Sequence, residues 1–137
     1  MNRRLFLGSA AATLIAASTG LQAGDGTEDY TPGLIQSKLA AGETVFVDFA
    51  ADWCSTCARQ ERVISELRQS NPDFDKSMSF VRVDWDAYGS HEVAKSRNIP
   101  RRSTLILLRG DEELGRIVAG TSTGEIKALL ELGLASS

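Results

Sequence analysis

Apolar and polar residues follow two rhythms along the chain, and each rhythm predicts one kind of element. "TVFVDFA" is apolar on both faces and rich in β-branched and aromatic residues, the pattern of a central strand covered from both sides. "MSFVRVDW" and "STLILL" predict two more strands, and "ELGRIVAG" a fourth that follows the turn "RGDE". Elsewhere apolar positions recur at helical spacing. "PGLIQSKLAAG" predicts a short helix with Pro32 near its start and Gly42 at its stop. A longer helix runs from Cys54 through Val63, Ile64 and Leu67 until Asn71 and Pro72 end it. "GSHEVAKSRN" and "STGEIKALLELG" predict a short helix and a closing one. This order implies a layered α/β domain with a mixed sheet, its first crossover parallel and its last two strands a hairpin.

The beginning of the chain fits neither rhythm. "MNRRLFLGSAAATLIAASTGLQA" has a basic start at Arg3 and Arg4, an apolar stretch over 5–17 rich in small residues, and a small-residue cut after Ala23, the pattern of a secretory signal peptide over 1–23. A spanning helix needs about 20 strongly apolar residues, and Gly8, Ser9, Thr13, Ser18, Thr19 and Gly20 dilute this run. "NRRLFLG" also resembles the twin-arginine export signal, departing from it at Asn2 and Gly8. The expectation is a periplasmic protein with a polar linker over 24–30, a folded domain over 31–137, and no stable membrane insertion after cleavage.

At 137 residues and 42% apolar composition the chain has the material for one domain with a real core, independent of any disulfide. It carries 18 acidic against 15 basic residues, a net charge of −3, and losing Arg3 and Arg4 with the leader makes the body more acidic still. That balance disfavours nucleic acid and acidic membrane surfaces as partners.

Both cysteines lie in "ADWCSTCARQE", with Ser55 and Thr56 between them. A loop this short removes little entropy from an unfolded chain, so the pair is a poor staple. Zinc needs four ligands, and the only other soft candidate is His91, in a segment without ligand spacing. Two thiolates alone suffice for Cu(I), which keeps a non-enzymatic copper carrier as an alternative. Redox exchange leads these readings. Cys54 stands just before a predicted helix, where free backbone N–H groups and the helix dipole favour a thiolate over a thiol whose ordinary pKa is about 8.5. Cys57, one turn further, lies on the side continuing through Ile64 and is expected to be buried and protonated. Cys54 then attacks a substrate disulfide, and Cys57 resolves the mixed disulfide by closing an intramolecular bridge. Asp48 interrupts an apolar strand, where burial raises the pKa of a carboxyl group.

"VDFAADWCSTC" followed by a helix, "VRVDWD", the "IP" pair and a closing hairpin and helix with "VAGTSTGEIKALL" resembles the thioredoxin family over about residues 31–132. "ADWCSTCARQE", with its Glu61, is similar to the thioredoxin-like domain of membrane-bound thiol:disulfide reductases. The resemblance implies a thioredoxin-like fold, a mixed central sheet with helices on both faces. It implies Asp48 as the general base for Cys57, with an acid at a water-facing strand edge as the alternative. Arg82 falls where the family carries a lysine near that acid and would tune it, a fixed cation favouring ionised Asp48 against burial, although an ordinary surface arginine would also fit. Pro100 matches the family's cis-proline, and Ile99 before it would lend its backbone to a substrate strand. The alternative is a trans proline ending the helix at Asn98. Trp53 is expected to pack over the active site and shape the surface around Cys54, with core filling as the alternative, and Gly120 to face the site, where a turn glycine would look the same. "PRRSTLILL" is longer than the family's pattern, which brings Arg101 and Arg102 beside the site as a strand end or bulge.

Ser55 and Thr56 are the expected tuning residues. They offer only hydroxyl hydrogen bonds, where strong oxidants place a histidine, and Asp52 opposes a thiolate. The reading is an exported protein-disulfide reductase with a potential below about −200 mV, and a disulfide oxidase or isomerase is the alternative. No metal is expected, and no cofactor beyond the redox-active disulfide. The implied partners are a disulfide-containing protein substrate and a membrane thiol reductase as electron donor. The chain itself is expected to be a monomer.

Overall fold

The computed structural model describes residues 26–134. The leader predicted over 1–23 lies outside the described residues. At the centre stands β2 (Thr44–Ala50), the "TVFVDFA" segment, buried at every position. A strand with helices over both faces has no solvent side, which is why its apolar residues do not alternate with polar ones.

The five strands lie in the order β1-β3-β2-β4-β5. β3 (Ser79–Asp84) runs parallel to β2, with Asp48 opposite Arg82. β4 (Thr104–Arg109) is antiparallel to β2 on its other side and pairs with β5 (Glu112–Val118) as the predicted hairpin. Its turn is Gly110 and Asp111, with Gly110 at φ 60°, a left-handed conformation that glycine adopts without steric cost. The sheet is mixed and carries helices on both faces. Phe46, Phe80, Leu105 and Leu107 meet α2 (Ser55–Ser70), α3 (Asp73–Ser77) and α6 (Thr123–Leu132) on one side. Val45, Val47, Phe49, Val81 and Val83 meet α1 (Leu34–Ala40), α4 (Trp85–Tyr88) and α5 (Glu92–Lys95) on the other. The period of two along β2 thus sends Asp48 to the same face as Phe46, toward α2.

Three elements were not anticipated. The stretch read as linker contains a short edge strand, β1 (Glu28–Asp29), parallel to β3. Its two residues are both exposed and polar, so no hydrophobic pattern marks it. α3 follows Pro72 directly and buries Phe74. Trp85, read as the last residue of a strand, instead opens α4, because the Asp84 side chain accepts the Asp86 N–H at 3.1 Å and caps that helix.

Candidate active site

β2 ends at Ala50, the chain turns through Asp52 and Trp53, and Cys54 becomes the N-cap of the 16-residue helix α2. Its sulfur accepts the Cys57 backbone N–H at 3.1 Å, so one of the helix's unpaired donors is directed at Cys54. Cys54 and Cys57 form a disulfide with their Cα atoms 5.3 Å apart. Cys54 is 4% exposed and Cys57 1%, so attack from solvent reaches Cys54 first. Ser55 is exposed and Thr56 half-buried.

On β2, Asp48 is buried, and its Oδ1 has no hydrogen-bond partner. Burial pushes its carboxyl well above the ordinary range, and the nearby Glu61 carboxyl adds to this, while Arg82 pulls the other way. The Arg82 guanidinium donates to Glu61 at 3.1 Å and to Asp52 at 3.2 Å. Its charge is therefore shared among three carboxylates, and Asp52, expected to oppose a thiolate at Cys54, is itself paired. A cavity of about 180 Å³ lined by Asp48, Glu61, Arg82 and Thr27 gives this buried acid a path to the edge of the sheet.

Two expectations about the segment before β4 are corrected. Among the described residues no peptide bond is cis, so the Ile99–Pro100 bond is trans. Ile99 is buried in the core beside Val93 and Ala94, with its N–H bonded to the Ala94 carbonyl at 3.0 Å, and Pro100 is exposed. The step closes a helical turn, where a trans proline fits, and does not face the cysteines. The residue that does face them is Ser103, read from sequence as the start of a strand. Its N–H donates to the Phe49 carbonyl at 2.7 Å, and its hydroxyl lies 3.2 Å from the Cys54 sulfur and 3.1 Å from that of Cys57. Arg101 and Arg102 form a bend, neither strand nor bulge.

Trp53 is 61% exposed rather than packed over the site. Its indole N–H donates to the Asp86 carboxylate at 3.0 Å, and the Arg102 guanidinium lies 4.5 Å from its ring centroid. Gly120 contributes its carbonyl, which accepts the Gln60 side-chain amide at 2.9 Å, and the same amide donates to the Ser103 carbonyl at 3.0 Å. His91 lies on the surface at the start of α5, edge-on to Tyr88. Gln60, Glu61 and Ser103 were not assigned roles from sequence. Gln60 and Glu61 were detectable, being three and four residues beyond Cys57 on the same helix face. Ser103 carried no local signal.

A helix capped by a CxxC disulfide at the end of a central strand, in a mixed sheet covered on both faces, defines a dithiol–disulfide protein of thioredoxin-like fold. The family model for thioredoxin matches residues 29–131, and the chain belongs to the thioredoxin family. It is 34% identical over 93 residues to thioredoxin H2-1 of Oryza sativa subsp. japonica, covering 68% of this chain and 62% of that protein. It is 29% identical over 98 residues to the mitochondrial thioredoxin-2 of Schizosaccharomyces pombe, covering 72% and 68% respectively. Thus the chain spans less than two thirds of the rice relative. Among solved structures, a Trxlp from Edwardsiella tarda superposes with a TM-score of 0.67 at 30% identity, over 76% of this chain and 97% of that one. Family and cysteine pair together support thiol–disulfide oxidoreductase chemistry.

Proposed function

We propose that this protein is an exported protein-disulfide reductase. The observation that carries the reading is the setting of Cys54: at the N-cap of a long helix, its sulfur accepts the Cys57 N–H, and only Ser55 and Thr56 lie between the cysteines. A helix N-terminus favours a thiolate over a thiol, and no histidine between the cysteines adds the stronger stabilisation that makes a dithiol strongly oxidising.

The Cys54 thiolate attacks a substrate disulfide, forming the Cys54–substrate bond and releasing one substrate thiolate. Cys57 loses its proton to ionised Asp48 and attacks the Cys54 sulfur. The Cys54–Cys57 bond forms, the Cys54–substrate bond breaks, and the second substrate thiolate leaves. Two electrons have passed to the substrate. A membrane thiol reductase, a dithiol donor facing the same compartment, would restore Cys54 and Cys57. The basic start and diluted apolar run of residues 1–23 support export to the periplasm. Trp53 and Arg102 supply the substrate-facing surface, an aromatic platform beside a cation that suits an acidic segment of a protein substrate.

The test is the reduction potential of the Cys54 and Cys57 pair, read by tryptophan fluorescence in glutathione buffers, together with insulin reduction in the presence of a dithiol. A value below about −200 mV with insulin turnover is expected. A value near the −120 mV of the strong periplasmic oxidants would make the protein an oxidase, and the absence of any redox transition would remove it from exchange chemistry.

A further inference from the structure

Ser103 is held more firmly than a loop residue ordinarily is. Its N–H donates to Phe49 at 2.7 Å, and its carbonyl accepts both the Ala119 N–H at 2.8 Å and the Gln60 amide at 3.0 Å. These contacts tie together β2, α2 and the segment after β5. Ser103 is fully buried, and its φ of 66° lies in the left-handed region that non-glycine residues seldom occupy. The backbone is thus fixed in an uncommon conformation, and the hydroxyl rotor is its remaining freedom. That hydroxyl lies against both sulfurs, which among the described residues are its hydrogen-bond partners.

A serine hydroxyl has one proton to give and two lone pairs to receive. In the disulfide its options are weak, since neither sulfur is charged. Reduction by a dithiol adds two electrons and one proton and leaves a thiolate at Cys54 and a thiol at Cys57. The two sulfurs then present opposite demands, one needing a donor and the other an acceptor, and a single hydroxyl between them meets both. We propose that Ser103 is a catalytic residue of thiol–disulfide exchange, its O–H donating to the Cys54 thiolate while its oxygen accepts the Cys57 S–H. The hydroxyl keeps its own proton throughout.

The hydrogen bond to the thiolate is charge-assisted and shielded from water, so it stabilises the reduced protein over the disulfide. Ser103 therefore raises the potential and lowers the Cys54 pKa, setting an upper limit on how reducing the pair becomes. The proposal rests on exchange at Cys54 and Cys57, and it holds for a reductase or an oxidase alike.

Ser103→Ala removes the hydroxyl and leaves the Cβ, hence the backbone preference, unchanged. Ser103→Gly also removes it but relaxes the positive φ. The charged groups of the surrounding elements include Asp48 on β2, Asp52 in the turn before α2, Arg59, Glu61 and Arg62 on α2, Arg82 on β3, Arg101 and Arg102 before β4, and Glu125 on α6, beside Gly120. They are the same in all three proteins. Cys54 titration in the reduced state, followed by thiolate absorbance, should move up by about one pH unit in both variants, a tenfold loss of thiolate. The potential should fall by about 30 mV, the same tenfold factor converted for two electrons. Thermal unfolding verifies that each variant folds. Should Ser103→Ala fail to fold, Ser103→Gly carries the test. Unchanged titration and potential in a folded variant would overturn the proposal. A shift in Ser103→Ala that Ser103→Gly abolishes would also overturn it, by assigning the effect to the backbone. The wild-type potential decides the direction of the reaction separately, so the two readings fail by different measurements.

Discussion

Replacing Asp48 by asparagine should stabilise the protein at neutral pH and leave it unchanged in acid. Asp48 is buried on the α2 face of β2, Oδ1 has no hydrogen-bond partner, and Glu61 stands nearby. A buried polar atom without a partner costs about 1–3 kcal/mol, and a charged one more. Repulsion from Glu61 adds to that cost. Arg82 offsets part of it, but its guanidinium is also paired with Glu61 and Asp52. A net cost of about 2 kcal/mol for ionised Asp48 follows. The sign follows from proton linkage. The folded pKa is raised above the ordinary 3.8, so between the two values the folded state binds more protons than the unfolded chain. Stability contributed by the protonated carboxyl is complete below the unfolded pKa and is lost as the pH rises through the folded one. Asparagine cannot ionise and loses nothing. Urea unfolding of the oxidised protein and of Asp48→Asn should therefore give equal free energies near about pH 3, and a gain of about 2 kcal/mol for the variant near about pH 8. A gain of equal size at both pH values would show that the charge is irrelevant. No gain at either would show that the carboxylate is solvated or fully paired in the folded state.

Cys57→Ala should accumulate a mixed disulfide between Cys54 and substrate, visible on a non-reducing gel, whereas Cys54→Ala should form none and reduce insulin only at the background rate. A Cys54→Ala variant retaining activity would overturn the assignment of the nucleophile. Phe46→Ala should cost about 3–5 kcal/mol in urea unfolding, because Phe46 is 1% exposed, packs against Phe80 at 5.3 Å between ring centroids, and meets residues of α2 and α6. A loss below about 1 kcal/mol would mean that the neighbours collapse into the space.

The sequence determined what depends on neighbours along the chain. The central strand, the long helix, the hairpin and the closing helix were legible because burial on one or both faces writes its period directly into the order of apolar residues. Cys54 could be placed at a helix start, and Asp48 in an apolar strand, on the same grounds. The edge strand β1 and the single turn α4 were not legible, since β1 spans two exposed polar residues and α4 is set by a cap. The larger error lay before β4. Ile-Pro is a strong local signal, and it drew to itself a role that the fold gives to a residue three positions further on. Which residue meets the sulfurs is decided by where the chain enters β4 and by the register of β4 on β2, with Thr104 opposite Phe49. Sheet register depends on contacts between distant segments, and the Ser103 hydroxyl reaches Cys54 across 49 positions of sequence. A serine beside an arginine and a threonine carries no local mark of such a contact. Packing the sheet brings it there, and only in the folded protein does it become part of the site.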